Sequence, residues 1–206
     1  MRRKRPLDRS TKIVRDASLI VIASEDKYAV RQYFDFFQST RIQFKVLETE
    51  DGKSAPEHIL ARLNEYQSEF DIGEGDELWF FSDSDHWIRP GHIKNLVGVV
   101  RECGRKNIQV ALSNPCFELW LLLHFADFPP ETELTCREVE KRIRKAIGHY
   151  EKTKIFNLPI DQNNVHLAVK RSTNNHSASN EIPDRPQTAV HRIIQSLLER
   201  RMISVG

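Results

Sequence analysis

The feature that most constrains the fold is a regular alternation of short apolar runs with amphipathic segments. Four runs predict strands, at residues 19–23, 42–47, 77–81 and 108–112. The segments between them predict single helices, at residues 28–37, 54–67 and 90–104. Strands joined by single crossover helices lie parallel, and a parallel sheet is covered by helices on both faces. We therefore expect an α/β fold, a doubly wound, mainly parallel sheet of about four strands.

Two segments carry the sequence pattern of a helix N-terminus. Ser54 is followed three residues later by Glu57, with Pro56 in the first turn, and Thr135 stands in the same relation to Glu138. Such pairs satisfy the free backbone N–H groups of a first helical turn by forming a capping box. We expect helices to begin at both places, the second of them basic.

The pattern changes where Pro129-Pro130 interrupts the chain. We divide the sequence into a basic N-terminal arm (1–16), an α/β core (17–128) and a C-terminal helical extension (129–206). Residues 172–187 are rich in Ser, Asn and Pro and predict a polar loop within the extension. The last segment carries apolar residues on one helical face, so we expect it to dock on the core.

Composition and charge exclude several classes of protein. Three cysteines in 206 residues, with no Cys-x-x-Cys pair, exclude a disulfide scaffold and a cysteine-rich zinc site, and are typical of a reduced, cytoplasmic protein. No apolar stretch approaches the roughly 20 residues of a membrane span. The net charge of +2 conceals basic segments at 1–16 and 137–154 and an acidic one at 65–85. This pattern suits a metal site beside a polyanion-binding surface, although solvated charged faces give the same uneven distribution of charge.

Acidic side chains follow three of the predicted strands. Glu25 and Asp26 follow the first, Asp83 and Asp85 the third, and Glu118 lies shortly after the fourth. Ligands of open parallel sheets bind beyond the carboxyl ends of the strands, so these residues share one rim. Residues two apart at a strand end point the same way, so Asp83 and Asp85 can face one point. Together with Glu25 they predict a Mg²⁺ or Mn²⁺ site, whereas an Asp-x-Asp pair alone is more often a turn.

Several segments resemble a known family. An apolar strand followed by Glu25, and another followed by Asp83-Ser-Asp85, resemble the Toprim domain, the catalytic core of topoisomerases, primases and several nucleases. The run Ser-Asn-Pro-Cys-Phe-Glu-Leu-Trp-Leu-Leu-Leu-His-Phe at 113–125 closely resembles the hallmark of the RloB-like family. That family comprises small Toprim-like proteins of prokaryotic defence loci, commonly encoded beside an ATPase. Residues 83–86, 150–152 and 188–190 also resemble it.

The resemblance implies an activity and roles for individual residues. Glu25 would be the general acid/base or a metal ligand, Asp83 and Asp85 would hold Mg²⁺, and Glu118 would be a further ligand or orienting residue. The implied activity is Mg²⁺-dependent hydrolysis of a phosphodiester in RNA, tRNA included, or in DNA, with RNA slightly preferred. The implied context is an anti-phage, abortive-infection system with an AAA or ABC-type partner ATPase. A homodimer is left open, and no membrane association is expected.

Position 26 departs from the Toprim pattern. A glycine usually follows the glutamate and allows the backbone to approach a phosphate closely, whereas Asp26 adds a carboxylate that either serves the metal or repels a phosphate. A noncatalytic Toprim-like binding subunit is therefore the alternative function. A receiver-like phosphoacceptor domain is a third hypothesis, since acids follow the first and third strands. The second acid after Asp83 and the absence of a downstream Lys-Pro at a strand end count against it.

Basic side chains in the arm and the extension are the candidate contacts to nucleic acid. They are Arg2, Arg3, Lys4, Arg5, Lys141, Arg142, Arg144, Lys145 and Lys152. A solvated helix face is the alternative for those at 141–145. His86 and Asn114 are accessory candidates, although Asn114 is first interpreted as a cap at a strand-to-helix turn. The apolar residues at 119–123 predict a buried core helix, which makes Cys116 at its start a small buried hydrophobe.

Overall fold

The computed structural model describes residues 17–49, 53–88, 91–129, 133–176, 181–200 and 203–205. The basic arm, with Arg2, Arg3, Lys4 and Arg5, lies outside the described residues. Within the described ranges, no helix is long and apolar enough to cross a membrane.

A five-stranded sheet forms the centre of the fold. The described residues contain seven strands, five of which form this sheet: β1 (Ser18–Ser24), β2 (Phe37–Gln38), β3 (Ile42–Leu47), β4 (Glu77–Asp83), β5 (Gln109–Asn114), β6 (Gln187–Thr188) and β7 (Ser204–Val205). The central sheet has the order β3-β1-β4-β5-β6, in which the first four strands are parallel and β6 is antiparallel to β5. Strands β2 and β7 form a separate antiparallel pair. The predicted doubly wound, mainly parallel sheet is confirmed, with one short strand more than expected.

Helices cover both faces of this sheet. They are α1 (Ala29–Phe34), α2 (Pro56–Glu69), α3 (Ile93–Arg105), α4 (Glu118–Phe125), α5 (Cys136–Ile147), α6 (Gln162–Asn175) and α7 (His191–Glu199), with a 3₁₀ turn at Ile155–Asn157. The first helix is shorter than the predicted 28–37. It ends at Phe34 because Phe37 adopts extended backbone and pairs with Val205 of β7.

Alternate residues of β1 explain why its sequence is apolar throughout. Ile20 and Ile22 belong to the apolar cluster that contains α1 and α4. Leu19, Val21 and Ala23 belong to the cluster that contains α2 and α3. Both faces of the strand are therefore buried, as in other parallel sheets.

The C-terminal extension shares the hydrophobic core of the sheet. Val139 of α5, Val165 of α6 and Ile193 of α7 are fully buried in the same cluster as Ile20 and Trp120. Helix α4 lies between sheet and extension, and its apolar residues at 119–123 are buried all round, as its sequence predicts. This packing fixes where the segment after α5 passes the rim of the sheet.

The predicted polar loop at 172–187 is only partly a loop. Helix α6 continues to Asn175, and Gln187 with Thr188 forms β6. The buried Ser172 hydroxyl donates to the carbonyl oxygen of Thr188 at 2.9 Å, so the helix continues without leaving a polar group unsatisfied. Thr188 also bonds through its own hydroxyl to Ser113 at 2.8 Å, which secures the edge of the sheet with polar residues.

One of the two predicted capping boxes is confirmed. Thr135 and Glu138 form it at the start of α5, each side chain bonding the backbone of the other. Helix α2 has no side-chain cap, since its N-cap residue is Ala55. Glu57 of α2 instead accepts a hydrogen bond from the Asn95 side chain of α3 at 2.7 Å. A tertiary contact has replaced the local one.

This difference predicts unequal effects of two similar substitutions. Thr135→Ala should lower the free energy of unfolding by about 0.5–2 kcal/mol, because it removes an N-cap acceptor. Ser54→Ala should change it by only a few tenths, since the α2 cap is not a side chain. Urea unfolding of both variants measures the two effects, and equal losses would contradict the assignment of the caps.

Candidate functional site

The carboxyl ends of β1, β4 and β5 meet at one edge of the sheet. The register aligns Ser24 with Phe81 and Asp83 with Ser113, which brings the residues after β1 beside the end of β4. Glu25 Oε1 accepts a short hydrogen bond from the backbone N–H of Asp83. The predicted proximity of Glu25 and Asp83 is therefore observed.

Asp83 anchors the segment that leads into α4. Its Oδ1 accepts a hydrogen bond from the backbone N–H of Phe117 at 2.7 Å. Burial, followed by the negative charges of Glu25 and Glu118, raises the pKa of Asp83 well above its usual value. The carboxylates of Glu25 and Glu118 thus lie close enough to Asp83 to disfavour its ionisation.

Glu25 titrates near neutral pH. Burial raises the pKa of Glu25 from 4.5 to about 7, and the charge of Asp85 adds to the effect. The N–H of Asp83 and the ammonium of Lys152 act in the opposite direction without cancelling it. A carboxylate with a pKa near 7 can both accept and donate a proton under physiological conditions.

Glu118 is a buried carboxylate with one satisfied oxygen. Its residue is 1% exposed, and its Oε1 lies 2.9 Å from Lys152 Nζ and 3.5 Å from the Tyr150 hydroxyl. Its Oε2 is buried and has no hydrogen-bond partner among the described residues. An unsatisfied buried carboxylate oxygen is costly, and a cation would satisfy it.

Asp26 serves the local structure and is paired with a cation. Its Oδ1 accepts hydrogen bonds from the backbone N–H groups of Tyr28, at 2.7 Å, and Ala29, and so fixes the first turn of α1. Its Oδ2 lies 3.4 Å from Lys152 Nζ. The carboxylate that departs from the Toprim pattern therefore has its charge offset within the protein.

Lys152 lies within the acidic cluster, which Glu25, Asp26, Asp83 and Glu118 form. The sequence predicts this lysine as a contact to nucleic acid. Its side chain is 48% exposed and its Nζ contacts both Glu118 and Asp26. Burial lowers the pKa of Lys152, but the charges of Glu118 and Asp26 outweigh that effect and raise it above its usual value. This side chain is a fixed cation of the rim, with one side open to solvent.

The two aspartates of the Asp-x-Asp segment engage different partners. Asp83 bonds to Phe117, whereas Asp85 Oδ2 accepts from the Cys136 thiol at 3.2 Å and lies 3.8 Å from His86 Nε2. The chain turns after Ser84, whose N–H still bonds to β5, so the alternation of a strand does not continue to Asp85. Both carboxylates nevertheless lie near enough to Glu25 to interact with its charge, and the expectation that they face one point stays a prediction. His86, with a 71% exposed side chain, lies at the periphery.

Within the described residues, no group of three or more His, Cys, Asp or Glu side chains is already arranged to hold a metal ion. Glu25 is bonded to a backbone amide, Asp83 to another, and Glu118 to an ammonium. The predicted metal ligands Glu25, Asp83 and Asp85 thus stay a prediction. The donor set itself, carboxylate oxygens with one buried oxygen lacking a partner, fits a hard divalent cation.

Other predicted site residues have structural partners. Asn114 is buried and donates through its side chain to the Pro183 carbonyl at 3.0 Å, while the N-cap position of α4 is Phe117, so Asn114 is not the predicted helix cap. Arg144 pairs with Glu140 at 3.0 Å and lies over the Tyr150 ring. Lys141 and Lys145 are exposed on α5, and Arg142 is half-buried there.

Sequence reasoning missed the contribution of the segment after α5 to the acidic cluster. Tyr150 and Lys152 reach Glu118 from more than thirty positions away, and no local spacing marks such a contact. The resemblance at 150–152 pointed to this segment without giving it a role.

Comparison with known proteins gives one family match. The sequence model of a family described as RloB-like protein matches residues 20–197. No curated protein matches the chain, and no solved structure does.

The raised pKa of Glu25 predicts that this side chain destabilises the fold at neutral pH. Below pH 4.5 this carboxyl is protonated in both the folded and the unfolded state, and the free energy of unfolding is not reduced. That free energy falls as the pH rises through about 7, because the unfolded state loses the proton more readily. Glu25→Gln, which stays neutral and keeps the acceptor for Asp83, should remove this loss. At pH 8 without metal we expect it to raise the free energy of unfolding by up to about 3 kcal/mol.

Urea unfolding of wild type and Glu25→Gln from pH 4 to pH 8, in a chelating buffer, measures the difference. Glu65→Gln, on the exposed face of α2, is the matched control; it keeps Glu25 and should follow the pH dependence of wild type. A Glu25→Gln protein less stable than wild type at pH 8 would contradict the raised pKa.

Proposed function

The chain belongs to the RloB-like family, and we propose that it is a divalent-metal-dependent nuclease of the Toprim type. The observation that carries the proposal is the meeting of Glu25, Asp83 and Glu118 at one rim of the sheet, where burial, followed by the charges of Glu25 and Glu118, raises the pKa of Asp83. Crowding of carboxylates destabilises a fold, and it occurs most often where the acids have a chemical function. Cleavage of a phosphodiester by a bound cation is a chemistry that such a cluster supports.

Asp83 and Asp85 would hold Mg²⁺ or Mn²⁺, with Glu118 Oε2 as a further oxygen ligand. When bound, such an ion polarises a phosphoryl oxygen and stabilises the attacking or leaving oxygen. The proposed ligand oxygens differ in whether they already accept a hydrogen bond. Glu118 Oε2 has no hydrogen-bond partner among the described residues, whereas Asp83 Oδ1 already accepts from Phe117.

Glu25 is the proposed general acid/base. Its pKa of about 7 allows its carboxylate to take a proton from the attacking group or return one to the leaving oxygen near neutral pH. The bond from the Asp83 N–H to Oε1 fixes the orientation of the carboxylate. Lys152, half-exposed beside Glu118, is positioned to offset the charge of a phosphate at the rim.

The proposed substrate is RNA, with tRNA among the candidates and DNA as the other option. The proposed setting is the cytoplasm, where the protein would act as effector of an anti-phage, abortive-infection system with an AAA or ABC-type ATPase. Membership of the RloB-like family supports this setting, since Toprim-like proteins of that family are commonly encoded beside an ATPase.

A noncatalytic Toprim-like binding subunit is the second candidate function. Two observations favour it. No three ligands are preassembled among the described residues, and the ammonium of Lys152 occupies the space between Glu118 and Asp26. A subunit of this kind would bind nucleic acid or its partner and show no cleavage with any metal.

Metal binding should depend on the aspartates that follow β4. The double substitution Asp83→Ala with Asp85→Ala should abolish the calorimetric signal of Mg²⁺ or Mn²⁺, because it removes two oxygen ligands. Far-ultraviolet circular dichroism checks that the fold is retained. Unchanged metal affinity in the double variant would rule out this site.

Cleavage should depend on Glu25. Glu25→Gln keeps shape and hydrogen bonding but not proton transfer, so the rate should fall by about 10²–10⁴-fold while nucleic-acid binding is retained. The assay uses labelled tRNA, single-stranded RNA and plasmid DNA with Mg²⁺ or Mn²⁺, with and without the neighbouring ATPase. Glu65→Gln should cleave like wild type. Full activity of Glu25→Gln, or no cleavage by wild type under any of these conditions, would favour the noncatalytic subunit.

A further inference from the structure

A recess opens beside the acidic cluster, between α1 and the carboxyl end of β3. Its volume is about 370 Å³, within the range of pockets that accept small organic groups. It is lined by Lys27, Tyr28, Arg31, Gln32, Asp35, Val46, Leu47, Glu48 and Thr49. The proposed nuclease chemistry uses none of these residues.

Tyr28 is the exposed large hydrophobic side chain among the residues that line this recess. Its residue is 48% exposed, and Lys27 Nζ lies 5.8 Å from the centre of the ring. The backbone N–H of Tyr28 donates to Asp26, whose other oxygen faces Lys152. The ring is therefore held next to the rim where the carboxylates meet.

A second exposed ring stands on the adjoining segment. Phe156 is 60% exposed, and with Tyr28 it completes the set of exposed large hydrophobic side chains among the described residues. Gln32 ties this segment to the recess. Its Nε2 donates to the Thr153 carbonyl at 2.9 Å, and its Oε1 accepts from the Phe156 N–H at 3.3 Å. The backbones of Tyr28 and Phe156 therefore both bond to Gln32, and Lys152 immediately precedes Thr153.

The polar groups of the recess narrow the chemistry of its ligand. Two cations, Lys27 and Arg31, and two acids, Asp35 and Glu48, lie around the ring, with Arg31 Nη1 3.8 Å from Glu48 Oε1. An apolar ligand would lie against charged groups of both signs, and a polyanion alone would meet the two acids. An unpaired nucleotide offers a flat face to the ring, amino groups to the acids and a phosphate to the cations.

We propose that this recess is a subsite for an unpaired nucleotide, and that single-stranded or looped nucleic acid reaches the rim over Tyr28 and Phe156. The base faces of a duplex are stacked on each other and cannot lie on a protein ring. Cleavage of the bound strand rests on the proposed function, whereas binding at the recess can be measured without cleavage.

The test compares binding of a labelled single-stranded RNA with that of the same sequence as a duplex, by fluorescence anisotropy in a chelating buffer. Tyr28→Leu and Phe156→Leu should each weaken single-strand binding by about 5- to 150-fold, the range measured for loss of one stacked base. Tyr28→Phe keeps the ring and should stay within about twofold of wild type. Duplex binding should be weaker and should change little in all three variants.

Three results would overturn the subsite. They are wild-type affinity in both Leu variants, equal or tighter binding of the duplex, and no binding of either RNA by wild type. The last would assign the rings to a protein partner. Binding that depends on the rings, without cleavage in the presence of any metal ion, would support the subsite and reject the nuclease. Cleavage that does not depend on either ring would support the nuclease and reject the subsite.

Discussion

The ion pair between Lys152 and Glu118 is the interaction on which the geometry of the rim depends. A carboxylate that is 1% exposed is costly to bury without a charged partner, and Lys152 Nζ lies 2.9 Å from it. The same ammonium lies 3.4 Å from Asp26, which fixes the first turn of α1. One cation therefore connects the buried helix α4, the start of α1 and the segment after α5. Glu25 and Asp83 lie between these elements.

The sheet and two of its acids could be predicted from sequence because both depend on local patterns. Strand β1 is apolar on both faces, and Glu25 and Asp83 lie at strand ends, where a parallel sheet brings its ligands together. What could not be predicted depends on tertiary contacts. Strand β6 is two polar residues held by β5, Glu57 bonds to α3 instead of capping its own helix, and Lys152 reaches Glu118 only because α5 docks on α4.

The acidic cluster and the recess at Tyr28 share one structural support. Asp26 fixes the backbone of Tyr28 with one oxygen and faces Lys152 with the other, so the recess and the cluster are connected through a single side chain. This gives a physical reason for an aspartate where Toprim domains usually have glycine. Glycine would allow close approach of a phosphate, whereas Asp26 pairs with Lys152 and accepts a hydrogen bond from the backbone N–H of Tyr28. The departure is therefore compatible with a site that remains functional.

Thermal unfolding of Lys152→Met with and without Mg²⁺ shows whether the acidic cluster is a cation site. Without Mg²⁺ the variant should unfold at a lower temperature than wild type, because Glu118 loses its partner. Mg²⁺ should then raise its Tm by more than it raises that of wild type, since the acids lack an internal cation and binding stabilises the folded state. Lys145→Met, exposed on α5, should behave like wild type. No effect of Mg²⁺ on the Tm of either wild type or Lys152→Met would contradict the account.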